Sequence, residues 1–132
     1  MNLRTASPLI ATALLSAGAS TAQPAYPVAP PPEVARALEG RTPGAPVNCI
    51  SHRAKMHVVD DWTILFRDRG VVYVQRPYGG CHGLANGMSL IRDQFGTTQL
   101  CRGDINQVVD LRTGFGTGAC SYSEFIPYRK AG

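Results

Sequence analysis

Residues 62–75 read WTILFRDRGVVYVQ, and this stretch decides the fold of the chain. Apolar side chains recur at every second position on both sides of residues 68–70, a period typical of half-buried strands. The Asp-Arg-Gly sequence between the two runs suits a tight turn, so the stretch predicts a β-hairpin. We expect Trp62, Ile64 and Phe66 to share one face of the first strand, with Trp62 in the core.

Shorter runs with the same period follow the hairpin. They cover residues 88–92, 105–111 and 120–126, and turn sequences such as Asn86-Gly87 separate them. The glycine-rich segment 114–118 leads into a strand and not into a helix, so it predicts a hairpin turn and not a phosphate-binding loop. Short strands between such turns predict a mainly β fold, a small curled antiparallel sheet or a partly open barrel.

The first part of the chain has a different character. Residues 1–22 combine a basic start, a short apolar centre and small residues before Gln23, so we expect a signal peptide cut after Ala22, with Ala19 as the competing site. The apolar centre is shorter than the about 20 residues that span a bilayer, and we expect no membrane span. For residues 23–46 we expect a proline-rich tether with one short helix that begins at Pro32-Glu33. For residues 47–132 we expect a single β-rich domain.

Length and composition agree with this organisation. The chain has 132 residues, of which 44% are hydrophobic and 17% charged, which is enough for one domain and excludes wholesale disorder. The formal net charge is +4, without a clustered basic stripe, so we expect no nucleic-acid partner.

Four cysteines lie in the expected mature chain, and an even count in a small exported domain predicts two disulfides. Four cysteines allow three pairings. We expect the nested one, Cys49 with Cys120 and Cys81 with Cys101, because it ties together the ends of a small sheet. Cys81, His82 and Cys101 lack the close ligand spacing of a zinc site, so we expect neither a metal nor a cofactor.

Several short motifs occur in a fixed order along residues 47–127. They are Cys49-Ile50, Val59-Asp60-Asp61 with Thr63-Ile64-Leu65-Phe66, Cys81-x-Gly83-Leu84, Leu100-Cys101-x-x-Asp104-Ile105, Gly118-x-Cys120 and Phe125-x-Pro127. In this order the chain resembles an uncharacterised family of small exported proteobacterial proteins, classed as a domain of unknown function. The resemblance implies a location in the cell envelope and a small β-rich domain, and it supplies no catalytic residue.

One histidine and three aspartates are candidates for acid–base chemistry. His82 and Asp104 would meet if Cys81 bonded Cys101, which makes them the candidate catalytic pair of a hydrolase-type enzyme. The alternative for Asp104 is to accept backbone N–H bonds beside a disulfide. We expect Asp60 or Asp61 to cap the turn before Trp62 and not to form an acid–base pair.

Aromatic side chains favour a binding function. Tyr73, Tyr78 and Tyr122, together with Trp62, could line a groove, since aromatic rings supply a large contact area with a polar tip. For Trp62 we expect the other arrangement, in which Trp62 lies in the core and the tyrosines surround it. We therefore predict a periplasmic or secreted, non-catalytic binding or envelope-associated module whose partner is an unknown envelope protein or small ligand; the hydrolase is the alternative.

Overall fold

A computed structural model describes residues 29–92 and 97–131 of the chain. The signal peptide predicted for residues 1–22, its cleavage site and the first part of the tether lie outside the described residues. The described part is mainly β. Its elements are α1 (Pro32–Ala37), β1 (Arg41–Pro43), β2 (Cys49–Ser51), β3 (Lys55–Val58), β4 (Ile64–Asp68), β5 (Val71–Gln75), a 3-10 helix (Leu84–Asn86), β6 (Ser89–Arg92), β7 (Gln99–Cys101), β8 (Ile105–Val109), β9 (Gly116–Ser121) and β10 (Phe125–Lys130).

The hairpin predicted from residues 62–75 is confirmed. β4 and β5 pair antiparallel with Asp68 opposite Val71, so Arg69 and Gly70 alone form the connection. Both residues have positive φ, 49° and 77°, which is the turn geometry that matches the twist of paired strands. Gly70 adopts this φ without the steric cost that a Cβ would add.

The strands form three antiparallel sheets. The largest has the order β1-β10-β5-β4-β3, and the others are β2-β7 and β6-β8-β9. The predicted mainly β, antiparallel fold is confirmed; the strands are divided among three sheets that do not close into a barrel. β1 comes from the segment that we assigned to the tether, and it pairs with β10 along three residues.

The central hairpin is buried on both faces. Ile64 and Phe66 pack into the main core, while Leu65, Val72 and Val74 form a second cluster on the opposite face, against Ala37 and Leu38 of the α1 region. Cover on both faces explains why Ile64, Leu65 and Phe66 are consecutively buried instead of alternating.

Three aromatic rings occupy the middle of the main core. Phe66, Tyr122 and Phe125 are mutually edge-on, with ring centroids 5.5 to 5.8 Å apart. Such pairs stabilise beyond the area they bury. Because Phe66 lies on β4, Phe125 on β10 and Tyr122 just after β9, these contacts join the five-stranded sheet to the three-stranded one.

The expected core position of Trp62 is wrong. Trp62 is 50% exposed, and Tyr122 is buried to 1% exposure. The strand begins only at Ile64, because the amides of Val59 and Asp60 both donate to the carbonyl of Thr63 and close a turn before it. Trp62 therefore lies on this turn, outside the alternation of β4.

The nested disulfide pairing is also wrong. Cys49 bonds Cys101, and Cys81 bonds Cys120. Cys49 and Cys101 are directly opposite each other on β2 and β7. Cys120 lies on β9, in a different sheet from Cys49, so the expected link between the first and last strands has no geometric basis. Two disulfides form as predicted, but they interleave along the chain.

Opening either disulfide should destabilise the domain strongly. The bonds close segments with sequence separations of 52 and 39 residues, and the chain-entropy argument gives about 4 kcal/mol for each. We expect urea denaturation to show this loss for Cys49→Ala/Cys101→Ala. The loss should be larger for Cys81→Ala/Cys120→Ala, because Cys81 and Cys120 are buried in the core and their removal leaves a cavity. Unchanged stability in either double variant, or non-reducing peptide maps that join Cys49 to Cys120, would contradict the pairing.

Candidate functional site

Two connecting segments meet at one end of the central hairpin. Residues 60–63 lead into β4, and residues 76–83 leave β5. Since Ile64 pairs with Gln75, the start of β4 and the end of β5 lie side by side. The two segments are brought together there, and they carry a group that we call the Trp62–His82 cluster, formed by Asp61, Trp62, Gly80 and His82.

The turn that presents Trp62 is fixed by a side-chain cap. The Oδ1 atom of Asp60 accepts a hydrogen bond from the backbone N–H of Trp62 at 2.8 Å. An aspartate that bonds the amide two residues on mimics a backbone turn. The predicted capping role therefore belongs to Asp60, and the adjacent Asp61 has another function.

Asp61 ties the turn to the following loop. Its Oδ1 accepts the N–H of Ala85 at 2.8 Å, and its backbone carbonyl accepts the N–H of Cys81 at 2.7 Å. Cys81 is in turn bonded to Cys120 of β9. One backbone hydrogen bond thus joins the two segments directly, a second bond ties the Asp61 side chain to Ala85 just beyond them, and the disulfide fixes Cys81 to β9.

Gly80 lies against one face of the indole of Trp62. A Cβ built on Gly80 would be 3.0 Å from Cε3 and 3.1 Å from Cδ2 of Trp62, closer than side chains normally pack. Cδ2 is a ring-fusion atom bonded to three ring neighbours, so an approach this close comes from above the ring plane. The buried Gly80 thus lies against the indole, while half of the Trp62 residue stays exposed to solvent.

His82 is the other aromatic member of the cluster. Its ring centroid is 5.8 Å from that of Trp62, with the ring planes at 87°. The Nδ1 atom of His82 is 4.0 Å from Oδ2 of Asp61, and the His82 side chain is 70% exposed. The hydroxyl of Thr117 donates to the His82 carbonyl at 2.9 Å and holds its backbone. The cluster therefore offers a flat apolar surface with a carboxylate and an imidazole beside it.

Tyr78 lies on the same loop but is held separately. Its hydroxyl accepts a hydrogen bond from Nε of Arg102 at 3.1 Å, and the same guanidinium bonds Glu124 at 3.1 Å. Tyr78 is 52% exposed, so of the three tyrosines predicted to bind a ligand it is the exposed one.

The other two predicted binding tyrosines are part of the core. Tyr122 is buried among Phe66 and Phe125 and does not lie on an exposed aromatic surface with Tyr78. Tyr73 is half-buried on β5 and packs against the main core. The structure does not bring Tyr73, Tyr78 and Tyr122 together as one surface.

His82 and Asp104 do not form the expected catalytic pair. The Cys81–Cys101 bond that was to bring them together is absent, and His82 lies beside Asp61 instead. The Oδ2 atom of Asp104 accepts the backbone N–H of Cys101 at 2.7 Å, next to the Cys49–Cys101 disulfide. The alternative role of Asp104, accepting a backbone hydrogen bond beside a disulfide, is confirmed.

A cavity of about 180 Å³, which no sequence pattern predicted, is lined by residues of β3, β4, β6 and β7. Its wall is mostly apolar, with polar contributions from His52, Arg92 and Tyr122. His52 already contacts the carbonyl oxygen of Thr98 through Nδ1 at 2.6 Å. Burial raises the pKa of Tyr122 to about 12, and the Arg92 charge partly opposes this shift.

Comparison with known proteins adds no relative: no family model, curated protein or solved structure matches this chain. The resemblance to the uncharacterised exported family therefore stays a prediction. Within residues 29–92 and 97–131, no group of three or more potential metal ligands converges. In the same described ranges, no helix has the length and apolar character needed to cross a bilayer.

Removal of the Asp61 carboxylate should loosen the loop around Ala85. Asp61→Ala leaves the Ala85 N–H without its acceptor, so we expect hydrogen exchange at this amide to accelerate and the free energy of unfolding to fall by about 1–2 kcal/mol. Asp61→Asn keeps an oxygen acceptor and should restore most of the protection.

Asp110→Ala is the matched control. It removes another exposed carboxylate that accepts a backbone N–H, donated by Arg112 to Oδ1 of Asp110 at 2.9 Å, and should leave Ala85 unaffected. Equal exchange at Ala85 in Asp61→Ala and the wild type would contradict the anchoring role of Asp61.

The buried hydroxyl of Tyr122 should make stability fall at alkaline pH. Its folded-state pKa of about 12 lies above the value of about 10 that is ordinary for tyrosine, so folding favours the protonated phenol. This contribution is complete below pH 10 and is lost as the pH rises from about 10 to 12, at about 1 kcal/mol per pH unit. Urea denaturation at several alkaline pH values should therefore show a steeper loss for the wild type than for Tyr122→Phe. Parallel curves for the two proteins would contradict this assignment.

Proposed function

We propose that this protein is an exported, non-catalytic binding module, and that the Trp62–His82 cluster is its ligand-contact surface. The observation that carries the proposal is the position of Trp62, the single tryptophan of the chain. It is half exposed on a turn, with one ring face resting on Gly80. A tryptophan on the surface leaves a large apolar area in water, which is typical of binding sites.

The rigidity of the surrounding loops supports binding. Asp60, Asp61 and the Cys81–Cys120 disulfide fix the backbone on both sides of the cluster. A surface that is ordered before the ligand arrives loses little conformational entropy on association, and this increases affinity. The hydrogen bonds therefore serve a binding function as well as the stability of the domain.

The chemistry of the cluster favours binding over hydrolysis. Nucleophilic catalysis needs an activated hydroxyl or thiol next to a base. The thiol adjacent to His82 in sequence, Cys81, is consumed in the disulfide. The carboxylate beside His82 belongs to Asp61, and one of its oxygens is occupied by the Ala85 amide. His82 is thus better placed to donate or accept a hydrogen bond to a ligand than to relay a proton.

An exported location accounts for the covalent chemistry. All four cysteines form disulfides, which persist in oxidising compartments such as the periplasm or the extracellular space. The basic start, apolar centre and small residues of segment 1–22 support the same proposal, since they are typical of a signal peptide. The ligand would then be an envelope protein or a smaller envelope component.

Fluorescence of the single tryptophan tests the proposed surface directly. Purified protein is titrated with three probes: neutral oligosaccharides, a mixture of short peptides, and vesicles of phosphatidylethanolamine with phosphatidylglycerol. We expect a saturable change in Trp62 emission with one probe class. Calorimetry should show the same binding in Phe115→Ala, which removes another exposed aromatic ring, and its loss in Trp62→Ala. No saturable change with any probe, or equal affinity in Trp62→Ala, would contradict the proposal.

A further inference from the structure

The Trp62–His82 cluster combines features that discriminate between classes of ligand. We infer that it binds a neutral carbohydrate, with a pyranose ring stacked on the open face of Trp62 and its hydroxyls bonded by Asp61 and His82. This inference rests on the proposed binding function and names its ligand class.

The indole of Trp62 provides the stacking surface. Gly80 lies against the indole, and the exposed half of Trp62 provides a flat apolar platform beside His82. A pyranose ring with equatorial hydroxyls has a matching flat face of C–H groups. Stacking this face on the indole buries apolar area on both partners and leaves the hydroxyls at the periphery of the ring, where polar side chains can reach them.

The polar groups at the edge of the platform suit those hydroxyls. The Oδ1 atom of Asp61 accepts the Ala85 N–H, so Oδ2 is the oxygen that can bond a ligand hydroxyl. The Asp61 side chain is 26% exposed. His82 lies 4.0 Å from that oxygen and is more exposed still. A carboxylate oxygen accepts and an imidazole both accepts and donates, so the pair can bond two hydroxyls of one sugar.

The charge of the cluster excludes anionic ligands. Asp60 and Asp61 are adjacent in the turn that carries Trp62, and two neighbouring carboxylates repel phosphate groups and uronic acids. A nucleic acid and an anionic lipid surface are disfavoured for the same reason, although the whole chain is basic. The local charge thus disfavours an anionic sugar relative to a neutral one.

The backbone of the cluster disfavours an extended peptide. Peptides that add to a strand edge need unpaired backbone donors and acceptors. Here the N–H of Gly80 already donates to the carbonyl of Pro77, and that of Cys81 to the carbonyl of Asp61. The N–H of Ala85 donates to the carboxylate of Asp61. The loop offers side chains and a ring face, which suits a sugar better than a peptide.

Titrations with defined oligosaccharides test this inference. The probes are the tetramers of β-1,4-linked N-acetylglucosamine and of β-1,4-linked glucose, both neutral, and of galacturonic acid, which is anionic. We expect a saturable change in Trp62 fluorescence with a neutral tetramer and at least about tenfold weaker binding of the anionic one. By calorimetry, Trp62→Phe should weaken neutral binding and Trp62→Ala should weaken it by about tenfold or more. Phe115→Ala should bind like the wild type.

Asp61→Asn separates recognition from folding. It keeps an oxygen for the Ala85 amide but removes the negative charge, so the difference in affinity between the neutral and the anionic tetramers should shrink. A loop with a purely structural role would leave that ratio unchanged.

The two proposals fail in different ways. Trp62-dependent binding of peptides or vesicles without binding of either neutral tetramer would overturn the carbohydrate inference and leave the binding module standing. Equal binding of neutral and anionic tetramers would also overturn the inference. Absence of Trp62-dependent binding with every probe would overturn both proposals.

Discussion

The packing of Phe66, Tyr122 and Phe125 against one another is the interaction on which the rest of the structure depends. An isolated two-stranded sheet is marginal in water and a three-stranded one needs an apolar face to be stable; the β2-β7 and β6-β8-β9 sheets are of these sizes. The three rings give the small sheets a common core with the central hairpin. The buried Cys81–Cys120 disulfide joins the same core covalently, two residues before Tyr122. Stability is therefore concentrated where the three sheets meet.

This core also determines the geometry of the candidate site. The hairpin is buried on both faces, so the segments at its open end have fixed starting points. Residues 60–63 and 76–83 leave the core side by side, and Asp61 bonds one to the other. Gly80 then lies against Trp62, where a Cβ would meet the indole at 3.0 Å. The proposed binding surface is thus a consequence of the core packing, extended outward by a few hydrogen bonds.

The hairpin and the cap from Asp60 were predictable because each depends on neighbours in sequence. The number of disulfides was predictable from the even number of cysteines. Period-two alternation, the Arg69-Gly70 turn and the Asp60 side chain act within a few residues. The disulfide pairing was not predictable, because it depends on which strands become neighbours. Trp62 was misplaced because alternation was extended through a turn. The cap from Asp60 to the Trp62 amide is itself incompatible with a strand at Trp62, and giving it precedence would have put the indole outside the core. The contact of Asp61 with Ala85 has no local sequence signal.

The central claim is that Trp62 is both accessible to solvent and held in one orientation. Time-resolved fluorescence anisotropy of the ligand-free protein, combined with acrylamide quenching, measures both properties on the single tryptophan. We expect efficient quenching together with an anisotropy decay governed by the tumbling of the whole domain. A quencher-protected indole would contradict the exposed platform, and a dominant fast decay would contradict the fixed orientation on Gly80.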